Sequence, residues 1–156
     1  MNTQPSPIIV QPDAGKNLHF PGGDMASIML SGEQTGGMLA KLACTQPPDS
    51  GPPLHLHSNE DELFLMVEGN YSFFADGLWT EVGAGSAVYL PKGIAHCYRN
   101  IGTMTGRHWV ITTPSGWERF MTRYADELAN PDGINQDRIA EITQEHGIEH
   151  IDTGHL

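Results

Sequence analysis

The stretch Gly51-Pro-Pro-Leu-His55-Leu-His57-Ser-Asn-Glu60-Asp61-Glu62-Leu-Phe-Leu-Met-Val67-Glu68-Gly69 decides how this chain folds. His55 and His57 are two residues apart, so in an extended strand their side chains lie on one face and can chelate one ion together. A polar turn, Ser58 to Asp61, follows. Glu62 then opens an apolar run, which sets its carboxylate at the mouth of a neighbouring strand, folded back toward the histidine pair. The adjacent carboxylates, Glu60 and Asp61, are expected to face water. Leu63, Leu65 and Val67 alternate with Phe64 and Met66, so both faces of the strand are apolar. One face is expected to line a cavity and the other to pack beneath a second layer, which a second copy of the chain can supply.

A second stretch answers the first. From Gly85 the chain runs through Ser86-Ala87-Val88-Tyr89-Leu90, turns at Pro91-Lys92-Gly93, and delivers His96 before Asn100. Proline fixes φ at such a turn and glycine permits a positive φ, so the chain reverses into a further strand. Three neutral imidazoles and one carboxylate suit a divalent transition metal such as Fe, Mn, Ni, Cu or Zn, and suit Mg or Ca poorly.

At these residues the sequence resembles the cupin superfamily, whose motifs are G-x5-H-x-H-x3,4-E-x6-G and G-x5-P-x-G-x2-H-x3-N. The first is matched at His55-x-His57 and from Glu62 to Gly69, with Gly51 four residues before His55 instead of six. The second is matched at Gly85, Pro91, Gly93, His96 and Asn100. The resemblance implies a mainly β double-stranded β-helix, or jelly-roll barrel, with His55, His57, Glu62 and His96 as ligands of one divalent transition metal. More widely, Gly32 to Gly37 ahead of the barrel and Pro-Ser-Gly-Trp-Glu ahead of a helix look like small single-domain cupins related to quercetin 2,3-dioxygenases. In that group the metal binds a flavonol and the Glu ligand accepts its proton, which would give Glu62 a catalytic role beside its ligand role.

Composition narrows the partners. Eight Lys and Arg against nineteen Asp and Glu give a net charge of −11, which disfavours nucleic acid and anionic membrane surfaces and leaves a neutral or aromatic ligand open. Cys44 and Cys97 both lie in apolar runs and read as reduced core thiols; Cys97 follows His96 directly and points to the other face of its strand. Without a basic leader or a long apolar segment, the expectation is a cytoplasmic protein with no membrane span.

The flanks divide into a barrel with N-terminal strands over residues 1–113 and a helical extension packed on it over 114–156, one domain overall. Met1 to Pro7 is expected to fray, and Ile8 to Val10 to form a short strand. Leu18 to Phe20 and Met25 to Leu30 flank a Pro21-to-Asp24 turn; Ser31 to Gly37 is turn chemistry; Met38 to Cys44 is an apolar run. Thr45 to Pro53, with four prolines, reads as a stiff loop leading to the metal. Tyr71 to Ala75 and Leu78 to Val82 around Asp76-Gly77 form a hairpin. Arg107 to Thr112 is a strand with His108, Val110 and Thr112 on one face; His108 is expected to be exposed, the alternative being a place in the cavity wall. Ser115 and Glu118 form a capping-box pattern before a helix over about Gly116 to Leu128, and a second helix covers about Ile134 to His146, with Ile139 and Ile142 inward. His146, His150 and His155 are expected to be solvated.

Two classes of function follow: a metal-dependent dioxygenase acting on a small aromatic or enolic molecule, and a non-catalytic small-ligand-binding cupin, with a metal-dependent isomerase or lyase between them. The doubly apolar strand and the N-terminal strands point to a homodimer.

Overall fold

The computed structural model describes residues 6–152, so Met1 to Pro5 and His155 lie outside it. Eleven strands and three α-helices follow in order among these residues, with a short 3-10 turn at Pro21–Gly23: β1 Lys16–His19, β2 Met25–Leu30, α1 Gly32–Thr35, β3 Ala40–Gln46, β4 His55–His57, β5 Asp61–Glu68, β6 Asn70–Ala75, β7 Leu78–Gly83, β8 Ala87–Leu90, β9 His96–Asn100, β10 Gly106–Thr113, α2 Trp117–Leu128, α3 Gln136–Glu145 and β11 Ile148–His150. They form two antiparallel sheets, ordered β1-β2-β3-β10-β5-β8 and β11-β4-β9-β6-β7. This is the mainly β, two-sheet architecture with C-terminal helices that the sequence leads one to expect.

Strand alternation builds the interior. Along β5 the buried positions are Glu62, Phe64 and Met66, and along β10 they are Gly106, His108, Val110 and Thr112, so the inward rows of the two paired strands are in register. Phe64, Met66 and Val110 meet Tyr71 and Phe73 of the opposite sheet in one apolar cluster, onto which α2 lays Trp117 and Phe120 and α3 lays Ile142. Burying an aromatic or branched side chain of this size stabilises by roughly 1.5–3 kcal/mol. The helices therefore complete the interior between the sheets.

Several local expectations give way. Ile8 to Val10 joins no strand. The Ser31-to-Gly37 turn contains the short α1, capped by Ser31 and Gln34 in a reciprocal capping box. The Ser115–Glu118 box does not form: Gly116 is the cap of α2, and Glu118 instead accepts hydrogen bonds from the Gly116 and Gly32 amides at 2.7 and 2.9 Å. A buried carboxylate between two amides ties α1 to the start of α2, a tertiary use of a residue whose spacing suggests a local one. In α3 Ile142 is buried and Ile139 only half-buried, because Thr143 takes the adjoining inward position.

Asn100, at the end of β9, is fully buried and uses its whole amide. Nδ2 donates to the Gln46 and Met104 carbonyls and Oδ1 accepts from the Gly102 amide, each at 2.9 Å. This one side chain joins β9, β3 and the turn before β10. Asn100→Ala strands a buried Gln46 carbonyl as well as losing the bonds. We expect it to destabilise the fold by about 3 kcal/mol, read as a lowered denaturant midpoint in chemical unfolding.

Candidate metal centre

The two sheets deliver the four sequence-singled residues to one point. His55 stands directly opposite His96 across the β4–β9 pair, His57 lies on the same face of β4, and Glu62 reaches across from β5 in the other sheet. One donor atom from each falls within 4.8 Å of the others. The residues are 9 % exposed at His55 and 2 % at His57, Glu62 and His96.

Backbone carbonyls orient two of the rings. His55 Nδ1 lies 2.8 Å from the Pro53 carbonyl and His96 Nδ1 lies 2.9 Å from the Ile94 carbonyl. A carbonyl only accepts, so each Nδ1 carries a proton and donates it, and Nε2 is the atom turned to the centre. Burial, followed by the neighbouring His96 and His57 rings, pulls His55 down to about 3, so it is a neutral donor at physiological pH. Burial acts to raise Glu62, but contact with His96 and the surrounding imidazoles outweighs it and leaves the carboxyl below its usual range. Burial likewise acts to lower His96, and contact with the Glu62 charge more than offsets it, so its affinity for a proton is raised.

The centre is short of partners. His96 Nε2 is 2.9 Å and His57 Nε2 3.5 Å from Glu62 Oε2. Even so, none of these three buried atoms completes an aligned hydrogen bond. A buried polar atom without a partner costs on the order of 1–3 kcal/mol, and these three face one another. Nitrogen and carboxylate oxygen donors converging this way fit a single divalent transition metal.

Glu60 corrects the sequence reading. It is buried, with Oε2 3.7 Å from His57 Nδ1, and both atoms lack a hydrogen bond. The start of α2 closes over it: a Cβ at Gly116 would come within 2.8 Å of Glu60 Oε1, and the Trp117 ring centroid is 6.0 Å from that of His57. Glu60 shares the parity of Glu62, a signal in the sequence for the inward face. Asp61, of opposite parity, turns outward to accept from the Tyr89 hydroxyl at 2.8 Å and the Lys92 amide at 2.9 Å.

Beside the centre lies a cavity of about 260 Å3. His55, His57 and Glu62 form one end, Phe64 and the α2 residues Trp117 and Phe120 its apolar wall, and Cys44, Gln46, Tyr98 and His108 the far end. Met66, on the same face of β5 as Phe64, packs in the core. His108 is 1 % exposed, correcting the expectation of exposure: it sits on the inward row of β10, with Nδ1 3.2 Å from the Tyr71 hydroxyl and Nε2 3.4 Å from that of Tyr98. Burial pulls it down to about 4, so the ring is neutral. The tail histidines divide. His146 is half-buried, its Nδ1 2.8 Å from the Ile142 carbonyl, whereas His150 is exposed at the cavity edge on β11, a strand the sequence reading missed. That strand pairs Ile148 with His57 and His150 with His55.

Ring orientation by a neighbouring carboxylate is commonly worth 10–100-fold in metal affinity. Replacing Glu60 by Leu is therefore expected to weaken divalent-metal binding by about tenfold or more, measured by competition with a chromogenic chelator; unchanged affinity would show that His57 is held without it.

Residues 42–111 match the family model described as Cupin domain. Quercetin 2,3-dioxygenase from Bacillus subtilis (strain 168) is 26% identical over 93 residues, 60% of this chain, and the match spans 27% of that relative's length. Among solved structures, a predicted oxalate decarboxylase from Thermotoga maritima superposes with a TM-score of 0.64 at 19% identity, covering 69% of this chain and 99% of its own. KdgF from Halomonas sp. gives 0.64 at 13% identity, covering 72% and 99%. With a cupin model matched over residues 42–111, a cupin among its structural neighbours and both motifs brought to one point, the chain has the cupin fold and resembles quercetin 2,3-dioxygenase.

Proposed function

We propose that His55, His57, Glu62 and His96 hold one divalent transition metal and that the chain is a dioxygenase of the quercetinase-like type, acting on a small aromatic or enolic molecule. The observation that carries this reading is Glu62: a buried carboxylate held ionised, with Oε2 unpaired, at the end of an aromatic-walled cavity. A metal at this position supplies Lewis acidity toward an enolic oxygen and the one-electron chemistry that dioxygen requires. The chain's own residues do the rest. His55 and His96, with Nδ1 pinned to carbonyls, keep their Nε2 donors aimed. Glu62 Oε2, an ionised acceptor at the metal end of the cavity, would take the enol proton. Phe64, Trp117 and Phe120 clasp the ring and exclude water. No Ser or Cys competes as a nucleophile: burial pushes the Cys44 thiol up to about 12, so it stays protonated.

The same proposal takes the protein as a homodimer. On the outer face of the larger sheet Leu65 pairs with Trp109 and Leu63 with Ile111 and Tyr89, and Trp109 and Tyr89 are 40% and 58% exposed. A second copy covering this row removes apolar area worth about 25 cal/mol per Å2. Light scattering should give twice the chain mass at micromolar concentration; a folded monomer there would count against it.

Glu62→Gln keeps the side-chain shape while weakening both ligation and proton acceptance. In oxygen-electrode assays with flavonols, scaled to metal content by elemental analysis, turnover should fall by about 100-fold or more, beyond any loss of metal. Equal losses would leave Glu62 a ligand only. A metal-loaded wild-type protein that consumes no oxygen with any flavonol or related enol would favour a binding cupin, or an isomerase or lyase.

A further inference from the structure

The charge of the cavity is one-sided. No lysine or arginine lines it, whereas two carboxylates do, Glu62 at the metal end and Asp24 at the other. Asp24 follows the short Pro21–Gly23 turn, which is closed by the Phe20 amide donating to the Asp24 carbonyl at 2.9 Å. Both residues flanking the turn are extended, and each stands two positions from a buried residue of its strand, Phe20 from Leu18 and Asp24 from Ala26. The two-residue period therefore turns both side chains inward. One Asp24 oxygen accepts from the Ser50 hydroxyl at 2.9 Å, and no cation pairs with this carboxylate among the described residues.

Its field reaches across the cavity. The Cys44 thiol and the Tyr98 hydroxyl, both in the wall, are raised first by burial, with the charges of Asp24 and Glu62 among the further causes for each. Register keeps the two carboxylates apart: Ala26 pairs with Cys44, Cys44 with His108 and His108 with Met66, four residues along β5 from Glu62, and Asp24 lies further in the same direction. Glu62 belongs to the metal centre, so Asp24 is the carboxylate left without a counter-charge. The Phe20 and Tyr124 rings, 6.4 Å apart between centroids, stand at this end of the cavity. Aromatic faces near a carboxylate attract an organic cation through the ring quadrupole as well as through the charge.

We infer that the cavity takes a cationic aromatic molecule, its protonated amine docking against Asp24 at the Phe20 and Tyr124 end and its aromatic body lying along the wall toward the metal centre. This names the charge of the substrate in the proposed function, and it rests on the metal-centre reading for the near end only. A ligand with a carboxylate at the Asp24 end would meet like charge there. An uncharged one covers Asp24 without giving it a counter-charge, a desolvation cost that an ammonium offsets.

The experiment uses the metal-loaded protein with 2-phenylethylamine, its trimethylammonium derivative, which cannot ligate a metal, and 2-phenylethanol. Affinities are measured by calorimetry at neutral pH, where the primary amine is protonated as a lysine is. Wild type should bind both cations roughly fivefold or more tightly than the alcohol. Asp24→Asn keeps the shape and an acceptor for Ser50 while removing the charge, and should abolish the preference. An alcohol that binds as tightly as the cations, or a preference that survives Asp24→Asn, would overturn the inference; the second would place the ammonium against Glu62. A preference confined to the primary amine would put its nitrogen on the metal and overturn it as well. The wild-type comparison needs no variant, so it decides the matter even if Asp24→Asn fails to fold. Oxygen uptake with flavonols and related enols is scored separately. An Asp24-dependent preference without uptake would sink the dioxygenase reading and leave the cation site standing, and uptake without the preference would do the reverse.

Discussion

The structure turns on electrostatic frustration at one buried point. Three imidazoles on one sheet and a carboxylate on the other converge where water is excluded, and three of their facing atoms have no hydrogen-bond partner. Packing alone would not favour this arrangement, because each such atom loses its hydration for nothing in return. Its cost is met only if something positive sits among the donors, and a cation there would also clamp the two sheets together. The prolines before His55, the carbonyls that hold two Nδ1 atoms and the start of α2 over Glu60 all act to aim or enclose this one point.

What the linear sequence displays well is what depends on spacing. A gap of two places His55 and His57 on one face of β4, a Pro-x-Gly turn sets His96 at the start of β9, and Asp76-Gly77, with both residues at positive φ, closes the β6–β7 hairpin. Alternation in β5 and β10 shows the rows that form the core. These are local rules, and a strand obeys them wherever it ends up in the fold.

The failures arise where a distant partner decides. His108 looks like an ordinary polar residue on a strand until Tyr71 and Tyr98, from other strands, come to meet its two nitrogens. Glu118 sits at capping-box spacing, yet Gly32, 86 residues away, competes for its carboxylate. Glu60 looks solvated in a polar turn because nothing local announces that α2 will cover it. Ile148 to His150 is too short to register as a strand without the open edge of β4 to pair with. In each case propensity is weak and a tertiary contact worth about a kilocalorie per mole or more settles the outcome.

That last pairing bears on how the protein is made. β4 touches its own sheet through a single registered pair with β9, His55 against His96, and its other edge is completed by β11. A ribosome emits residue 148 about 90 residues after residue 57, an interval of roughly 5–20 s at ordinary elongation rates. Until β9 is made both edges of this three-residue strand are open, and from then until residue 148 one edge stays open, while after residue 113 the other strands already have their partners. The centre is thus enclosed only after residues 148–150 have been made, well after all four of its donors have left the ribosome.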